Sequence, residues 1–514
     1  MRKKLFSVIL AVAMVASLAA CGSKAVNDGD KGVDSGTQSN PGQDAEKEGD
    51  EEIVNITLTF PVLTSIPEDL GKVQEAMSQI ALEECNCTIT LQPLGFADYM
   101  TQAPLMLSGG EDIGLLAHFN PITVYPSMVE KGQIQDITTL LEEQVPEVLE
   151  IVGEDYLAAS RINGSLYGVP TMHERANGSG FIMRTDLLEK YSIDVSQVKT
   201  MDDLDAIFEV IKENEPDISP TYMGGASMNP ADIMVKGSVD ELGDGFGVLM
   251  NRGQDATVTD YFESDEYRNY VEKVYEWNQK GYILPDSDSI QDMYTTLLQA
   301  NKVFSVFMTN APGSIEQDER NTGLDLTFVQ LGAPLSTTTT VNGIQWVVPI
   351  GAKHPEKSVD IIRLLYTNAD FLNLFNYGIE GEHYVAEGNN QISRPDGMTE
   401  ETSPYNWSIA YLTGNEFLCY TWDIDNPNLW KEVKEWNDNV EKSSAMGFSF
   451  DNSNVTNEIT AISNVCNQYR IGLENGVLDP EVYMEKFIAD LKTAGIDTVI
   501  AEKQSQLDAW KAAQ

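Results

Sequence analysis

Between residues 53 and 130 the chain alternates two hydrophobic periods, and no other feature restricts its fold as much. Val54, Ile56, Leu58 and Phe60 recur at every second residue, the period of a strand, and Pro61 stops them. Ile66, Leu70, Val73, Met77 and Ile80 then recur at helical spacing. Cys87, Ile89 and Leu91 alternate again. A short helix is expected over 99–107, ended by Gly109-Gly110, then a brief apolar strand over 112–117 and a helical stretch over 122–129. A β-α-β-α-β order demands a parallel sheet covered by helices. Such sheets bind ligands at the loops after the strand C-termini, here 61–65, 95–99 and 118–121.

A second series follows Pro170, with strands expected over 180–184, 303–308 and 347–350. Thr200 and Asp203 form a capping-box pattern ahead of a helix with the stripe Leu204, Ile207, Phe208 and Ile211. Further helices are expected over 264–279 and 356–366, and from Asp479-Pro480, a cap followed by proline, to Gly495.

The N-terminus reads as an export signal. Arg2, Lys3 and Lys4 precede an apolar run over 5–20 that is too short and Ala-rich for a membrane span. It ends in Leu18-Ala19-Ala20-Cys21-Gly22, the pattern a lipoprotein signal peptidase requires. Residues 1–20 are therefore expected to be a lipoprotein signal peptide. Cys21 is expected to be diacylated, with two chains sufficing for a stable anchor on the outer face of the cell membrane. Residues 21–52 carry no aromatic side chain and many carboxylates, so they are expected to be a disordered acidic tether.

The remaining body of about 460 residues is too long for one core and implies two lobes. A net charge of −47 repels phosphate, which excludes nucleic acid as a partner. Cys85, Cys87, Cys419 and Cys466 are too few for a disulfide framework and lack zinc spacing. On a strand Cys85 and Cys87 would share a face and not bond to each other, whereas a bridge between Cys419 and Cys466 is open. No cofactor, metal or catalytic residue is expected, and the protein is expected to be a monomer. No nucleophile elbow, zinc helix, Walker loop or dinucleotide fingerprint occurs, and His118, His173, His354 and His383 show no ligand spacing. Eighty acidic residues leave a hidden glycosidase pair open.

The segment Ile162-Asn163-Gly164-Ser165-Leu166-Tyr167-Gly168-Val169-Pro170 resembles the N-G-x-x-Y-G-x-P segment of family 1 extracellular solute-binding proteins. Asn163-Gly164 suits a tight hairpin because both positions tolerate positive φ. Asn301-Lys302-Val303-Phe304 is similar to that family's second crossing, and Leu187 to Asp194 with Met201 to Leu204 to its strand-helix passage. Gly447-Phe448-Ser449-Phe450-Asp451, Glu458 to Asn464 and Ile496 to Trp510, with Asn415-Glu416-Phe417-Leu418 and Trp422, resemble the LipO-like branch that ends in a DUF3502 region. The resemblance implies an α/β, two-lobed periplasmic-binding-protein-like fold (type II) whose lobes are joined by hinge-crossing strands and close on a ligand. It also implies ABC permease subunits as partners and a small-molecule ligand, a sugar in many members. A peptide or other small solute is the alternative. The lobes are expected at 53–172 with 309–345, and at 173–308 with 346–514, the DUF3502-like region occupying about 440–514.

Sugars are held by aromatic faces and by planar amides, carboxylates and guanidinium groups. Candidates at lobe-edge loops are His118 and Asn120, and at the crossing after Pro170 they are Met172, Glu174, Arg175 and Asn177. Asn342 and Trp346 precede a second crossing, with Trp346 a stacking platform. Tyr377, Glu380, His383, Tyr405 and Trp422 lie in Gly-broken loops. Trp277, Trp430, Trp436 and Trp510 sit in helical patterns and are expected in cores.

Overall fold

The computed structural model describes residues 52–63, 65–120, 122–224, 229–235, 237–407 and 409–513. The expected signal peptide, Cys21 and nearly all of the tether lie outside the described residues. Nine strands build two main sheets: β1 (Val54–Val62), β2 (Cys87–Gly95), β3 (Leu115–Phe119), β4 (Gly168–Pro170), β5 (Gly178–Arg184), β6 (Ser219–Tyr222), β7 (Val303–Asn310), β8 (Leu326–Gly332) and β9 (Ile344–Val347). The first sheet runs β2-β1-β3-β9-β4 and the second β8-β5-β7-β6. β1 pairs in parallel with β2, from Val54 opposite Cys87 to Val62 opposite Gly95, and with β3 on its other side. The opening β-α-β-α-β reading is thus realised. The helix after β1 spans Leu70–Cys85 and buries Val73, Met77, Ala81 and Cys85, while Ile66 stays outside it and exposed.

Local signals fixed several other elements. Asn163 (φ 52) and Gly164 (φ 88) form the turn between Arg161–Ile162 and Ser165–Leu166. Asp203 accepts from both the N–H and the hydroxyl of Thr200 ahead of the Asp205–Asn214 helix, so the expected capping box forms only in part: the Thr200 hydroxyl donates to the Asp203 carboxylate and caps no helical N–H. Asp479 accepts from the Glu481 N–H at the start of Pro480–Ala494, which Gly495 ends at φ 102.

Each sheet anchors its own core. In the first, Phe60 meets Trp346, Phe375 and Trp407 edge to face at 6.4, 5.2 and 5.7 Å. In the second, Phe181 packs on Phe208, Trp277 and Phe307. These cores correct the expected lobe boundaries. Residues 326–332 were expected to return to the first lobe, but β8 pairs antiparallel with β5 in the second sheet. The return comes at β9, whose partners are β3 and β4. The chain from Trp346 to Cys419 packs in the first core, and only Val455 to Val499 rejoins the second. The chain therefore passes between cores near 171–177, 333–343 and 420–445. The Cys419–Cys466 bridge is also excluded: both are buried free thiols, one in each core.

Candidate functional site

The C-terminal end of β3 and the start of β9 meet where Phe119 lies opposite Ile344. In the second sheet, the C-terminal end of β7 meets the start of β5 where Asn310 lies opposite Gly178. Both rims border the crossing 171–177, which joins β4 to β5. That crossing is held along its length. The Thr171 N–H donates to Ile344 O at 3.1 Å, Met172 N–H to Gly414 O at 2.7 Å, and Glu416 N–H to Met172 O at 3.0 Å. The helix Leu429–Asn439 then laces onto it. Trp436 Nε1–H donates to Ala176 O at 2.8 Å, Asn437 Nδ2 donates to His173 O at 2.8 Å, and Asn437 Oδ1 accepts from the Arg175 N–H at 2.9 Å.

Beside this lacing lies an open groove of about 400 Å³. Trp436, Glu432, Glu435 and Asn439 of the helix form one side, and Pro312 and Pro334, just beyond β7 and β8, form the other. An aromatic side chain, two carboxylates and an amide are the groups that hold a polyhydroxylated ring.

The crossing also concentrates polar groups without internal partners. The Arg175 guanidinium stacks on the Tyr156 ring at 3.4 Å, yet its Nε and Nη2 have no hydrogen-bond partner and the residue is only 2% exposed. Burial lowers its pKa to about 10. Glu416 is buried with Oε2 unpartnered, and burial together with the Glu174 charge pushes its carboxyl well above the usual range. Burial also pushes Glu174 up, but the His173 ring, 3.6 Å from its Oε2, outweighs that and the net shift is downward.

The sequence-derived candidates divide. Glu174 and Arg175 fall in this cluster, and Asn177 lies half-buried in the same crossing. Asn120 is half-buried at the first rim, its N–H donating to Gly343 O at 2.9 Å, next to the edge-to-face pair of Phe96 and Phe119 at 5.8 Å. Asn342 spends its amide on Ala159 O at 2.8 Å. Trp346 is corrected: it is 0% exposed and packed on Phe60, because β9 lies inside the first sheet with its Trp facing the core. His118 is likewise buried, bonded to Thr123 Oγ1 at 2.7 Å, and burial lowers its pKa to about 3. Met172 is core. Tyr405 donates to Phe375 O at 2.8 Å and Tyr377 to Tyr420 O at 2.7 Å. Trp422 is half-buried beneath the Arg394 guanidinium at 4.4 Å, and Glu380 is exposed at a loop. Trp436, expected in a core, is instead the aromatic wall of the groove. Its i−4 and i+3 neighbours Glu432 and Asn439, with Glu435 beside it, were the available signal, since a Trp flanked by polar side chains on one helix face does not face a core.

His383 is buried with Nδ1 accepting from the Ile379 N–H at 2.8 Å, so Nε2 carries the proton that faces Asp69 Oδ2 at 3.2 Å. Asp69, Glu382 and His383 have donor atoms close enough to share an ion. Lys72 Nζ already sits 2.9 Å from Asp69 Oδ2 and 3.4 Å from Glu382 Oε2, supplying the positive charge, and holds the Asp69 carboxyl below its usual range. The cluster ties the first helix to the 379–384 loop.

Residues 76–379 match the family of bacterial extracellular solute-binding proteins, and residues 444–512 match a domain of unknown function, DUF3502. A carbohydrate ABC transporter substrate-binding protein of Streptococcus pneumoniae serotype 4 is 26% identical over 517 residues, covering 99% of this chain and 98% of its own. The N-glycan transport solute binding protein NgtS of S. pneumoniae superposes with a TM-score of 0.79 at 24% identity, covering 89% of this chain and 99% of that one. In complex with Man1GlcNAc and Man5GlcNAc the same protein superposes at 0.71 and 0.69. An HMO binding ABC-transporter associated solute binding protein of Bifidobacterium longum infantis superposes with a TM-score of 0.64 at 15% identity, covering 89% of this chain and 99% of that one.

Proposed function

From the membership of this chain in the bacterial extracellular solute-binding family, we propose that it captures a carbohydrate, an oligosaccharide, and delivers it to an ABC importer. The groove beside the crossing carries the reading, because it offers Trp436 as a stacking face and Glu432, Glu435 and Asn439 as paired hydrogen-bonding groups at the junction of two separate cores. The relatives named for carbohydrate or glycan binding along nearly the full chain support it. Closure of the lobes about the crossings supplies the second half of the contact. The role is one of binding, with the ligand returned unchanged. Export and anchoring follow from the lipobox: Cys21 carries the lipid and residues 22–52 hold a monomeric body off the outer face of the membrane, within reach of permease subunits.

A thermal-shift screen of oligosaccharides, amino acids and peptides tests the ligand class. At a hundred times its dissociation constant a ligand stabilises the protein by about 2.7 kcal/mol. A shift with a glycan that is recovered intact supports the reading. A shift with peptides alone overturns the carbohydrate, and cleavage of the glycan overturns the binding role.

A further inference from the structure

Cys85 is the last residue of the Leu70–Cys85 helix and Cys87 is the first residue of β2. The sequence reading set both on one strand face, too far apart to bond. The corner between them changes that. Asn86 sits in the left-handed region at φ 51 and ψ 44, which Asn tolerates better than other non-glycine residues. The chain reverses there and brings the two sulfurs to 3.2 Å. A disulfide requires about 2.05 Å, so the thiols are already in contact and one χ1 adjustment from bonding distance. We propose that Cys85 and Cys87 are a dithiol–disulfide pair, oxidised by a low-molecular-weight disulfide.

The surroundings favour that chemistry. The helix Pro355–Thr367 packs against the corner and places Lys357 there, its ammonium donating to Cys85 O at 2.8 Å, with Arg363 and Asp360 nearby. The two sulfurs share a hydrogen bond, and that contact lowers the Cys87 thiol and raises that of Cys85. The pair thus releases one proton readily and shares the other. Cys87 is 0% exposed and Cys85 is 8% exposed, so Cys85 is the sulfur an oxidant reaches. The Cys85 proton passes across the 3.2 Å contact to the Cys87 thiolate, and the Cys85 thiolate so formed attacks one sulfur of the oxidant disulfide, forming a mixed disulfide and expelling one thiolate, which takes the proton from Cys87. Cys87, having lost its proton, then attacks Cys85 Sγ and expels the second thiolate. Two electrons pass from the protein to the oxidant, and the two protons end on the two released thiols. Only one residue separates the cysteines, so little chain entropy is removed and the bond adds little stability. What it does is remove two thiols from the irreversible steps of sulfur oxidation in an exported protein.

The test uses the full chain incubated with oxidised glutathione, acid-quenched, denatured, alkylated and mapped by peptide mass spectrometry. The expected result is a peptide carrying both Cys85 and Cys87 that is about 2 Da lighter than the dithiol and unalkylated, and that dithiothreitol restores. Cys419 and Cys466 remain alkylated as internal controls. Cys87→Ala should retain glutathione on Cys85, because the resolving sulfur is gone. Alkylation of both Cys85 and Cys87 after oxidation overturns the proposal, as does glutathione persisting on the wild-type pair.

Discussion

Removing the Trp436 side chain separates the groove from every other site on the molecule. The indole makes two contributions: its face forms the wall of the groove, and its Nε1–H donates to Ala176 O at 2.8 Å, fixing the helix Leu429–Asn439 to the crossing. Loss of an aromatic contact costs about 0.5–1.5 kcal/mol beyond area, and loss of the hydrogen bond about 1 kcal/mol. Trp436→Ala should therefore weaken glycan binding by about 2 kcal/mol, a factor of about 30. Trp436→Phe keeps an aromatic face and loses only the donor, so it should cost about 1 kcal/mol, a factor of about 5. Isothermal titration with the glycan found in the screen measures both, and a melting curve of each variant checks that it folds. Binding by Trp436→Ala equal to wild type removes the groove from the site. Equal losses in Phe and Ala leave the indole as a clamp on the crossing and remove its stacking role.

Arg175→Met replaces a buried, incompletely bonded cation with an apolar chain of similar length. The downward shift from 12.5 to about 10, which already includes the favourable contact with Tyr156, corresponds to about 3 kcal/mol against the charge, so the variant should be more stable in urea by up to about 3 kcal/mol. Asp260 is pushed up from 3.8 to about 6 by burial, with Oδ1 accepting from the Phe262 N–H and Oδ2 unpartnered. A raised carboxyl stabilises the fold below its unfolded value, and that contribution is lost as pH rises from about 4 through about 6. Asp260→Asn keeps the acceptor, so stability curves should lose this decline and gain up to about 3 kcal/mol at pH 7. Cys21→Ser should release the exported protein from the membrane fraction into the medium while leaving glycan binding unchanged, measured by fractionation and titration.

What the sequence disclosed follows the range of the forces involved. The Asn163-Gly164 turn and the Asp479-Pro480 helix start depend on residues within three of one another, and both stand where the sequence put them, while Thr200 and Asp203 form only the Asp203 half of the expected capping box. Lobe membership depends on partners more than a hundred residues away. Leu326 to Gly332 has no local feature that selects β5 over the first sheet, and the choice is made by antiparallel register with Gly178–Arg184. The site divided in the same way. That Glu174 and Arg175 lie in the crossing was visible from their place just after Pro170, though neither lines the groove. Trp346 and Trp436 were exchanged in role, since hydrophobicity identifies a Trp but not the sheet or groove it meets. Burial in the middle of the β3-β9-β4 ladder decides the first, and the polar face of Leu429–Asn439 decides the second.

Closure must also overcome whatever holds the two cores in their present relation. Among the described residues two ion pairs join them. Arg320, on the helix Ser314–Thr322 beside β7 and β8, meets Asp425, on the loop that follows the first core, at 2.6 Å. Lys442, paired through Glu441–Lys442 to Leu335–Ser336, meets Asp155 of the helix Glu154–Ser160. Asp155 is largely exposed and Lys442 and Arg320 are about a third exposed, so each pair is screened and worth at most about 1 kcal/mol. A glycan held at micromolar affinity supplies about 8 kcal/mol, and half of that expressed as preference for one arrangement exceeds both pairs together. The ion pairs therefore bias the resting position of the lobes without locking it. The three chain crossings, of which 171–177 is hydrogen-bonded along its length, are the segments about which the proposed closure would turn, and Trp436, bonded to Ala176 O, sits against one of them.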